Sequence, residues 1–356
     1  MLSHKRRPYL IHFHNILVDT KLSVRLGISS RPFKYFKNDE LTPTAPIHDF
    51  RLLVRNQFSI KIVIKVDSVI LHEKLLETDF FGHLNYTIPT QMFKIEEIKN
   101  ASVYIYAIDT VKGVDLYLGC SNIQHIPKNS SVIISDFDKT LVDTKYKTTV
   151  ELYRSLTSPI GNFPTIDSTL DKIKPMMKTG SPFFIVSASP HFYEPAIRKW
   201  LKENNIADAG IFLKDYRHFF SLQNTELFSK DIKVHGVFKL SNLLNLTYML
   251  YWPNKITLFG DTSETDPLIY CLYKFIMTES FDIKMMWEKI KLMDAFKLTP
   301  FQDSKLLNRL HLIQTLKKKN QEDPLIIEIF IRRINHHEMH PLPEWLNQQR
   351  LSINYY

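Results

Sequence analysis

Two patterns of apolar positions divide the chain near residue 130. Before that point, short segments rich in Tyr, Val and Ile carry polar residues between the apolar ones, as strands of antiparallel sheets do. These segments are residues 50–66, 85–89 and 101–108. No long helical periodicity precedes residue 89. We therefore predict a small antiparallel β-sandwich domain for residues 1–128.

From residue 131 onwards, buried strands alternate with helical stretches. The predicted strands are residues 132–134, 183–186, 211–214 and 256–259, and the predicted helices are residues 148–156, 194–204, 240–250 and one beginning near Asp266. This alternation is typical of a parallel sheet with helices on both faces. Because the polar segment 121–130 marks a boundary, we predict an α/β domain over residues 129–356, with a helical insert near 280–322.

The first predicted strand of this domain leads into two carboxylates, Asp136 and Asp138, separated by one residue. Carboxylates so close repel each other unless a cation lies between them or one of them holds a proton. Mg²⁺ prefers a few carboxylate oxygens together with water and phosphate. With such a cation bound, one carboxylate can act as a nucleophile and the other can transfer a proton.

Two later strands end in groups that complement these carboxylates. Ser187 follows the second strand, and Lys239 precedes a predicted helix. Asp261 and Asp266 follow the strand that ends at residue 259. Ligands of parallel sheets bind beyond the carboxyl ends of the strands, so we expect a divalent-metal site beside a phosphate site. Ser187 and Asp266 each have a second interpretation, as residues that cap the N-terminus of a helix.

The net charge of +9 favours an anionic partner, such as a phosphate ester or an acidic membrane surface. An ordinary basic surface is the alternative. The nine glycines form neither a G-x-x-x-x-G-K loop nor a G-x-G-x-x-G fingerprint, so chemistry that uses ATP or a dinucleotide has no support. No nucleic-acid-binding motif accompanies the charge, and no nucleic-acid partner is expected.

Cysteine and histidine add no further site. Cys120 and Cys271 are too few for a disulfide framework, and we interpret them as small buried residues. The segment HHEMH at 336–340 lacks the H-E-x-x-H spacing of a zinc site. His12 and His14 belong to a scattered set of histidines in the first domain, for which we expect no metal.

The N-terminus lacks the uninterrupted apolar centre of a signal peptide. No apolar run reaches the roughly 18 residues that a membrane-spanning helix needs. We therefore expect a cytoplasmic protein, with peripheral membrane contact and signal-independent secretion as open alternatives.

Together the motifs resemble those of the haloacid dehalogenase-like superfamily of phosphohydrolases, and most closely the catalytic domain of App1-type phosphatidate phosphatases. The shared features are DFDKT at 136–140 after Ser135, VSASP at 186–190, LKD at 213–215, GDTSETDPLIY at 260–270 and IFIR at 329–332. The resemblance spans roughly residues 131–335. It implies a Rossmann-like haloacid dehalogenase core preceded by the β domain.

The resemblance also implies catalytic roles. Asp136 would attack phosphorus and form an aspartyl-phosphate. Asp138 would protonate the leaving oxygen as general acid and then activate water as general base. Ser187 and Lys239 would hold phosphoryl oxygens in the transition state.

For the metal, the resemblance implies Mg²⁺ bound by Asp136, the backbone carbonyl of Asp138, and Asp261. Asp266 would support the site by orienting Lys239 or a water at the metal, and Thr140 would support it within the first motif.

Departures from the family pattern bear mainly on the substrate. Lys139 stands where a second acidic residue is usual, and Thr262 and Ser263 replace Ser-Gly. About fifty residues separate Tyr270 from the IFIR strand, where the family has few. This insert combines Lys with Trp, Leu and Phe, as membrane-surface helices do, although helices that simply cover the sheet are equally compatible with it.

The first hypothesis is a Mg²⁺-dependent phosphatidate phosphatase that releases diacylglycerol and phosphate and contacts anionic membranes. The second is a phosphatase of soluble or protein phosphate esters, because the four motifs do not report substrate size. The third is a phosphatidate-binding module without turnover, since a fold alone does not fix function. No pattern in the sequence indicates an oligomeric state.

Overall fold

A computed structural model describes residues 6–19, 21–32, 57–89, 95–111, 113–144, 160–207, 210–214, 236–296, 300–334, 342–347 and 351–356. These residues form two compact units, which are described separately. The first unit contains the described residues up to Pro127, together with Ile160 and His191–Ile197. The second unit contains the other described residues, from Lys128 onwards.

Eight strands in the described part of the first unit form two four-stranded sheets. They are β1 (Arg6–Val18), β2 (Lys21–Pro32), β3 (Ser59–Val66), β4 (Val69–Glu77), β5 (His83–Pro89), β6 (Ser102–Val111), β7 (Val114–Asn122) and β8 (Gln124–His125). The strand orders are β5–β2–β1–β8 and β4–β3–β6–β7. All neighbours are antiparallel except β1 and β8. The antiparallel sheets predicted here are therefore present, with one short helix, α1 (Ile95–Lys99), before β6.

Both sheets bury alternate residues in one hydrophobic cluster. Its members include Leu22, Val24, Leu26 and Ile28 of β2, Ile60, Ile62 and Ile64 of β3, and Val103 and Ile105 of β6. Every second residue of a strand faces the same side, so the alternation seen in the sequence becomes a shared core. Each of these side chains contributes about 1.5–3 kcal/mol by leaving water.

Histidines meet on the other face of β1. The His12 ring stacks against His14, with centroids 5.9 Å apart, and against His83, with centroids 5.3 Å apart. Gly27 pairs with His12, and a Cβ at Gly27 would lie 2.4 Å from Cε1 of that ring. The interpretation of His12 and His14 as scattered is therefore wrong, because strand pairing joins them to a histidine about seventy residues away.

The second unit contains a six-stranded parallel sheet. Its strands are β9 (Ser131–Ser135), β10 (Phe183–Pro190), β11 (Gly210–Lys214), β12 (Lys255–Asp261), β13 (Ile326–Arg332) and β14 (Asn354–Tyr355). Their order is β11–β10–β9–β12–β13–β14. Strands β9 to β12 are buried along almost their whole length, as in a parallel sheet covered on both faces. The predicted parallel sheet is confirmed, and β9 lies between β10 and β12.

Helices follow or connect these strands. They are α2 (Asp167–Lys178), α3 (Glu194–Glu203), α4 (Gly236–Met249), α5 (Asp266–Thr278), α6 (Ile283–Lys291), α7 (Pro300–Lys319) and α8 (Glu344–Asn347), with 3₁₀ turns at Ile160–Asn162, His191–Tyr193 and Asp294–Phe296. Of these elements, Ile160 and His191–Ile197 belong to the first unit. Helices α6 and α7 occupy the region predicted as a helical insert. Among the described residues, no helix is both long enough and apolar enough to span a membrane.

Two details of the sequence analysis need correction. Lys239 does not precede its helix but lies in the first turn of α4, which begins at Gly236. Cys120 is exposed because it lies on the outward side of the edge strand β7, whereas Cys271 is buried as expected. The predicted helix at 148–156 and the HHEMH segment at 336–340 lie outside the described residues.

Candidate active site

The ends of three adjacent strands form the candidate site. Because β9 lies between β10 and β12, the residues that follow these strands meet at one edge of the sheet. The backbone fixes this meeting point, since Asp136 N donates a hydrogen bond to Phe259 O at 2.9 Å. The first residue after β9 is thereby tied to β12.

The loop after β9 is a tight turn. Leu141 N donates to Phe137 O at 2.9 Å, and Lys139 N donates to Val142 O at 2.7 Å. Lys139 has φ of 55°, in the left-handed region that non-glycine residues seldom adopt. Its carbonyl accepts a hydrogen bond from Arg332 Nη1 at 2.7 Å, which ties this conformation to the end of β13.

A buried lysine joins carboxylates from the first and third strand ends. Lys239 Nζ lies 2.6 Å from Asp136 Oδ2, 2.5 Å from Asp266 Oδ1 and 3.0 Å from Glu264 Oε2. The side chains of Lys239, Asp136 and Asp266 are at most 2% exposed, and that of Glu264 is 25% exposed. Buried charges require partners, yet three carboxylates share one ammonium here. The cluster therefore carries an excess of negative charge.

Three of the buried carboxylates could hold a metal ion. Asp136, Asp261 and Asp266 each offer an oxygen within 4.8 Å of the other two. Asp266 Oδ2 is buried and has no hydrogen-bond partner among the described residues. Thr140 Oγ1 donates to Asp261 Oδ2 at 3.2 Å, which orients that carboxylate. Buried anionic oxygens with unfilled capacity fit a hard divalent cation such as Mg²⁺.

Gly260 allows α5 to approach the end of β12. A Cβ at Gly260 would lie 2.6 Å from Asp266 Oδ2 and 2.8 Å from Tyr270 Cε2. Tyr270 OH donates to Phe259 O at 3.0 Å, which fixes the helix against the strand. A side chain at position 260 would therefore force the Asp266 carboxylate or α5 to move.

Neither helix-capping interpretation agrees with the structure. Asp266 is the first residue of α5, Thr265 occupies the N-cap position without a side-chain cap, and the Asp266 side chain accepts from Lys239 instead. Ser187 lies within β10, not at a helix start.

Burial controls the acid–base properties of the carboxylates. It raises the pKa of Asp136 well above its ordinary value, although Lys239 opposes the shift. The pKa of Asp266 is raised by burial against the same opposition. Burial, with the charges of Asp266 and Glu264, raises the pKa of Asp261 to about 7. Burial is therefore the main cause of these three shifts, and a bound cation would lower the same pKa values by compensating the carboxylate charges.

The pKa of Lys239 responds to the same cluster. Burial by itself would lower this pKa, but the charges of Asp136, Asp266 and Glu264 hold it well above its ordinary value. The ammonium therefore stays protonated at neutral pH.

The second carboxylate of the D-x-D-x-T motif is held by hydroxyl groups. Thr144 Oγ1 donates to Asp138 Oδ1 at 2.9 Å. Ser187 Oγ donates to Asp138 Oδ2 at 3.4 Å, and Ser189 Oγ also donates to Oδ2. Asp138 is partly exposed, whereas Asp136 is buried. The two carboxylates therefore have different environments.

The structure brings all of the predicted site residues to this edge of the sheet. They are Asp136, Asp138, Thr140, Ser187, Lys239, Asp261 and Asp266. The sequence analysis did not single out Glu264, Ser189 or Thr144. The first two stand inside motifs that it quoted, but only the folded backbone reveals where their side chains point.

A comparison with known families agrees with this site. Residues 131–279 match the model of the family described as phosphatidate phosphatase APP1, catalytic domain. This part of the chain is similar to the App1-type catalytic domain. The match includes every predicted site residue, and it ends before the IFIR strand at 329–332. The resemblance inferred from the motifs is therefore confirmed over residues 131–279.

Other comparisons add no relationship to this family match. No curated protein matches the chain. A calcium-binding mutant of Bacteroides uniformis beta-glucuronidase 2 is 10% identical with a TM-score of 0.22, over 93% of this chain and 34% of that one. A Paenibacillus sp. cycloisomaltooligosaccharide glucanotransferase complexed with cycloisomaltoheptaose is 6% identical with a TM-score of 0.21, over 92% of this chain and 49% of that one. The chain thus spans at most about half of either protein, and similarity this low carries no argument about the fold.

Proposed function

We propose that this chain is a Mg²⁺-dependent phosphatidate phosphatase, which hydrolyses phosphatidate to diacylglycerol and phosphate through an aspartyl-phosphate. The proposal rests on the agreement between the family match and the structure. The App1-type match covers the same residues that assemble the buried cluster of Lys239, Asp136, Asp261 and Asp266. We further propose that the parallel sheet is a Rossmann-like haloacid dehalogenase core, and that residues 1–128 form a separate β-sandwich domain.

In the first step, an Asp136 carboxylate oxygen attacks phosphorus, and the bond from phosphorus to the glycerol oxygen breaks. The proton of the Asp138 carboxyl group moves to that leaving oxygen, so diacylglycerol departs as a neutral alcohol. Asp136 Oδ1 already accepts a hydrogen bond from Phe137 N at 2.6 Å, which restricts rotation of the nucleophile.

In the second step, the Asp138 carboxylate takes a proton from water while the water oxygen attacks phosphorus. The bond from phosphorus to Asp136 breaks, inorganic phosphate leaves, and both aspartates return to their initial states. A partly exposed Asp138 suits this step, because water must reach it.

Charge compensation is the task of the surrounding residues. Lys239 and Ser187 would bind phosphoryl oxygens, and the Lys239 ammonium is available because its neighbours keep it protonated. Asp136 and Asp261, with the Asp138 carbonyl or the Asp266 carboxylate, would hold Mg²⁺. When bound, Mg²⁺ supplies positive charge that offsets the phosphate and the carboxylates around it.

The surface of helices α6 and α7 is the evidence for contact of the protein with anionic membranes. Met285 and Leu292 are 49% and 86% exposed, and Leu312 is 46% exposed. A cleft of about 510 Å³ between the two helices is lined by Trp287, Leu307 and neighbouring residues. Exposed apolar side chains beside lysines are typical of surfaces that bind lipid head groups. We propose a cytoplasmic protein that attaches peripherally to such membranes.

The decisive experiment measures phosphate release from phosphatidate in mixed micelles with Mg²⁺, for the wild type and for Asp136→Asn. Release by the wild type alone supports both the chemistry and the lipid substrate. If phosphate is released only from a soluble aryl phosphate, and the variant loses this activity, Asp136 remains the proposed nucleophile and the substrate is a soluble or protein phosphate ester. If the protein binds phosphatidate but hydrolyses no ester, it is a non-catalytic binding module.

A further inference from the structure

Hydroxyl groups from two separate segments of the chain engage both carboxyl oxygens of Asp138. Thr144, six residues later, contacts Oδ1, and Ser189 from β10 contacts Oδ2. Ser187 reaches the same Oδ2 at 3.4 Å, which is the longest of the three contacts. The carboxyl group is therefore fixed in rotation by two separate segments.

The backbone aims the two serines at this point. Alternate residues of a strand share a face, so Ser187 and Ser189 both project from the end of β10 towards Asp138. The pairing of β10 with β11 shifts in register between Ser187 and Pro190, and such an irregularity re-aims the side chains at a strand end. Ser189 N donates to Ser187 Oγ at 3.2 Å, so the Ser187 oxygen is already an acceptor.

The Thr144 hydroxyl is fixed by the closure of its own loop. Thr144 N donates to Val142 O at 2.9 Å, and Asp143 N donates to Pro164 O at 2.8 Å. Val142 also bridges to Asp138 and to Thr165. The turn that follows Asp138 therefore brings the Thr144 hydroxyl back to the Asp138 carboxylate.

We infer that Ser189 and Thr144 are positioning residues, which clamp the Asp138 carboxyl group in the orientation that proton transfer requires. The inference rests on the proposed function. A hydroxyl can donate to a carboxylate and accept from a carboxylic acid, so the clamp can persist after the Asp138 proton has moved to the leaving oxygen. Ser187, with the longest contact, is the hydroxyl that can turn to a phosphoryl oxygen instead.

If the clamp acts in this way, its removal should slow the hydrolysis of some esters more than that of others. The leaving group of phosphatidate is an alkoxide, which is unstable as an anion and needs the Asp138 proton. The leaving group of p-nitrophenyl phosphate is p-nitrophenolate, which is a stable anion and needs that proton far less. Ser189→Ala and Thr144→Val should each lower kcat for phosphatidate in mixed micelles, the double variant by on the order of 10²-fold. KM should stay near the wild-type value, and p-nitrophenyl phosphate should lose much less. Ser189→Thr, which keeps a hydroxyl, should restore most of the activity.

Thr179→Ala is the matched control, because it removes an exposed hydroxyl that donates to a helix-end carbonyl, Met176 O. Equal losses on both esters, or a rise in KM alone, would indicate a structural or binding role and overturn the inference. If Asp138→Asn shows the leaving-group dependence and the Ser189 and Thr144 variants do not, the inference fails while the proposed function stands. A wild type that hydrolyses neither ester overturns the proposed function, and the inference with it.

Discussion

Lys239 Nζ contacts Asp136 Oδ2 at 2.6 Å and Asp266 Oδ1 at 2.5 Å, so one ammonium bridges the end of β9 and the start of α5. Lys239 itself belongs to the first turn of α4. Three elements that are distant in the sequence are therefore joined by one buried cation. The proposed nucleophile gains a fixed position and a compensating charge from the same contact.

Replacing the proposed nucleophile should abolish turnover without unfolding the protein. Asp136→Asn keeps the size of the side chain but removes the attacking carboxylate, so phosphate release should fall to background. Phosphate release and circular dichroism are the measurements. Asp171→Asn, at an exposed position of α2, is the matched control and should retain full activity. Wild-type turnover by Asp136→Asn would assign the nucleophile elsewhere.

Removing the bridging ammonium should destabilise the fold in the absence of metal. Lys239→Met leaves buried carboxylates without their partner, at an expected cost of about 3–5 kcal/mol in the free energy of unfolding. Adding Asp266→Asn to this variant should recover part of the loss, because it removes one of the uncompensated charges. Urea unfolding measures both effects. Lys178→Met, at an exposed position, should change stability little, and a similar small change for Lys239→Met would contradict the argument.

Mg²⁺ should stabilise the protein through the three clustered carboxylates. A ligand that binds only the folded state adds about 2.7 kcal/mol at a hundred times its Kd, so Tm should rise as Mg²⁺ is added. Asp261→Asn removes one ligand oxygen and should abolish most of this rise. Thermal melts in EDTA and in Mg²⁺ test it, with Asp171→Asn as the control. An undiminished rise in Asp261→Asn would place the ion at another site.

The histidine group of the first unit should make stability depend on pH. Burial first, and then the charges of Arg25, His83, His14 and His191, hold the pKa of His12 well below its ordinary value. The unfolded chain, with a His pKa of about 6.5, therefore binds more protons at mildly acidic pH, and stability falls as pH drops below that value.

One such proton corresponds to a slope of about 1.4 kcal/mol per pH unit. Urea unfolding at pH 7.5, 6.5 and 5.5 should show a shallower slope for His12→Gln than for the wild type. His311→Gln, at an exposed position of α7, should keep the wild-type slope. Parallel slopes for all three proteins would rule out His12 as the source.

Gly260 should be intolerant of even a methyl group. Gly260→Ala places a Cβ within 2.6 Å of Asp266 Oδ2, so either the carboxylate or α5 must move. Overpacking of this kind costs typically about 1–3 kcal/mol, and activity should fall with it. Gly161→Ala is the control, since nothing lies within 4 Å of a Cβ there. Equal melting temperatures and activities for the two variants would contradict the close approach.

The sequence was most informative where local pattern decides structure. Continuous apolar strands that end in Asp136, Ser187 or Asp261 predicted the parallel sheet and the edge where ligands bind, because strand ends converge whatever the intervening chain does. The pattern could not place Glu264 or Thr144, whose side-chain directions depend on loop closure. It also missed the contact of His12 with His83, which only strand pairing produces. The catalytic roles stay predictions until the variants are measured.

The position of β9 between β10 and β12 also has a consequence for biosynthesis. Asp136 leaves the ribosome about 130 residues before Asp266, and at typical rates of synthesis this delay is on the order of ten seconds. Until then the cluster around the proposed nucleophile is incomplete, because Lys239 and Asp261 also come about 100 residues or more after Asp136. For most of that time β9 lacks its neighbour β12. An incomplete chain should therefore have no hydrolase activity, and the onset of turnover during translation would report that the central strands have paired.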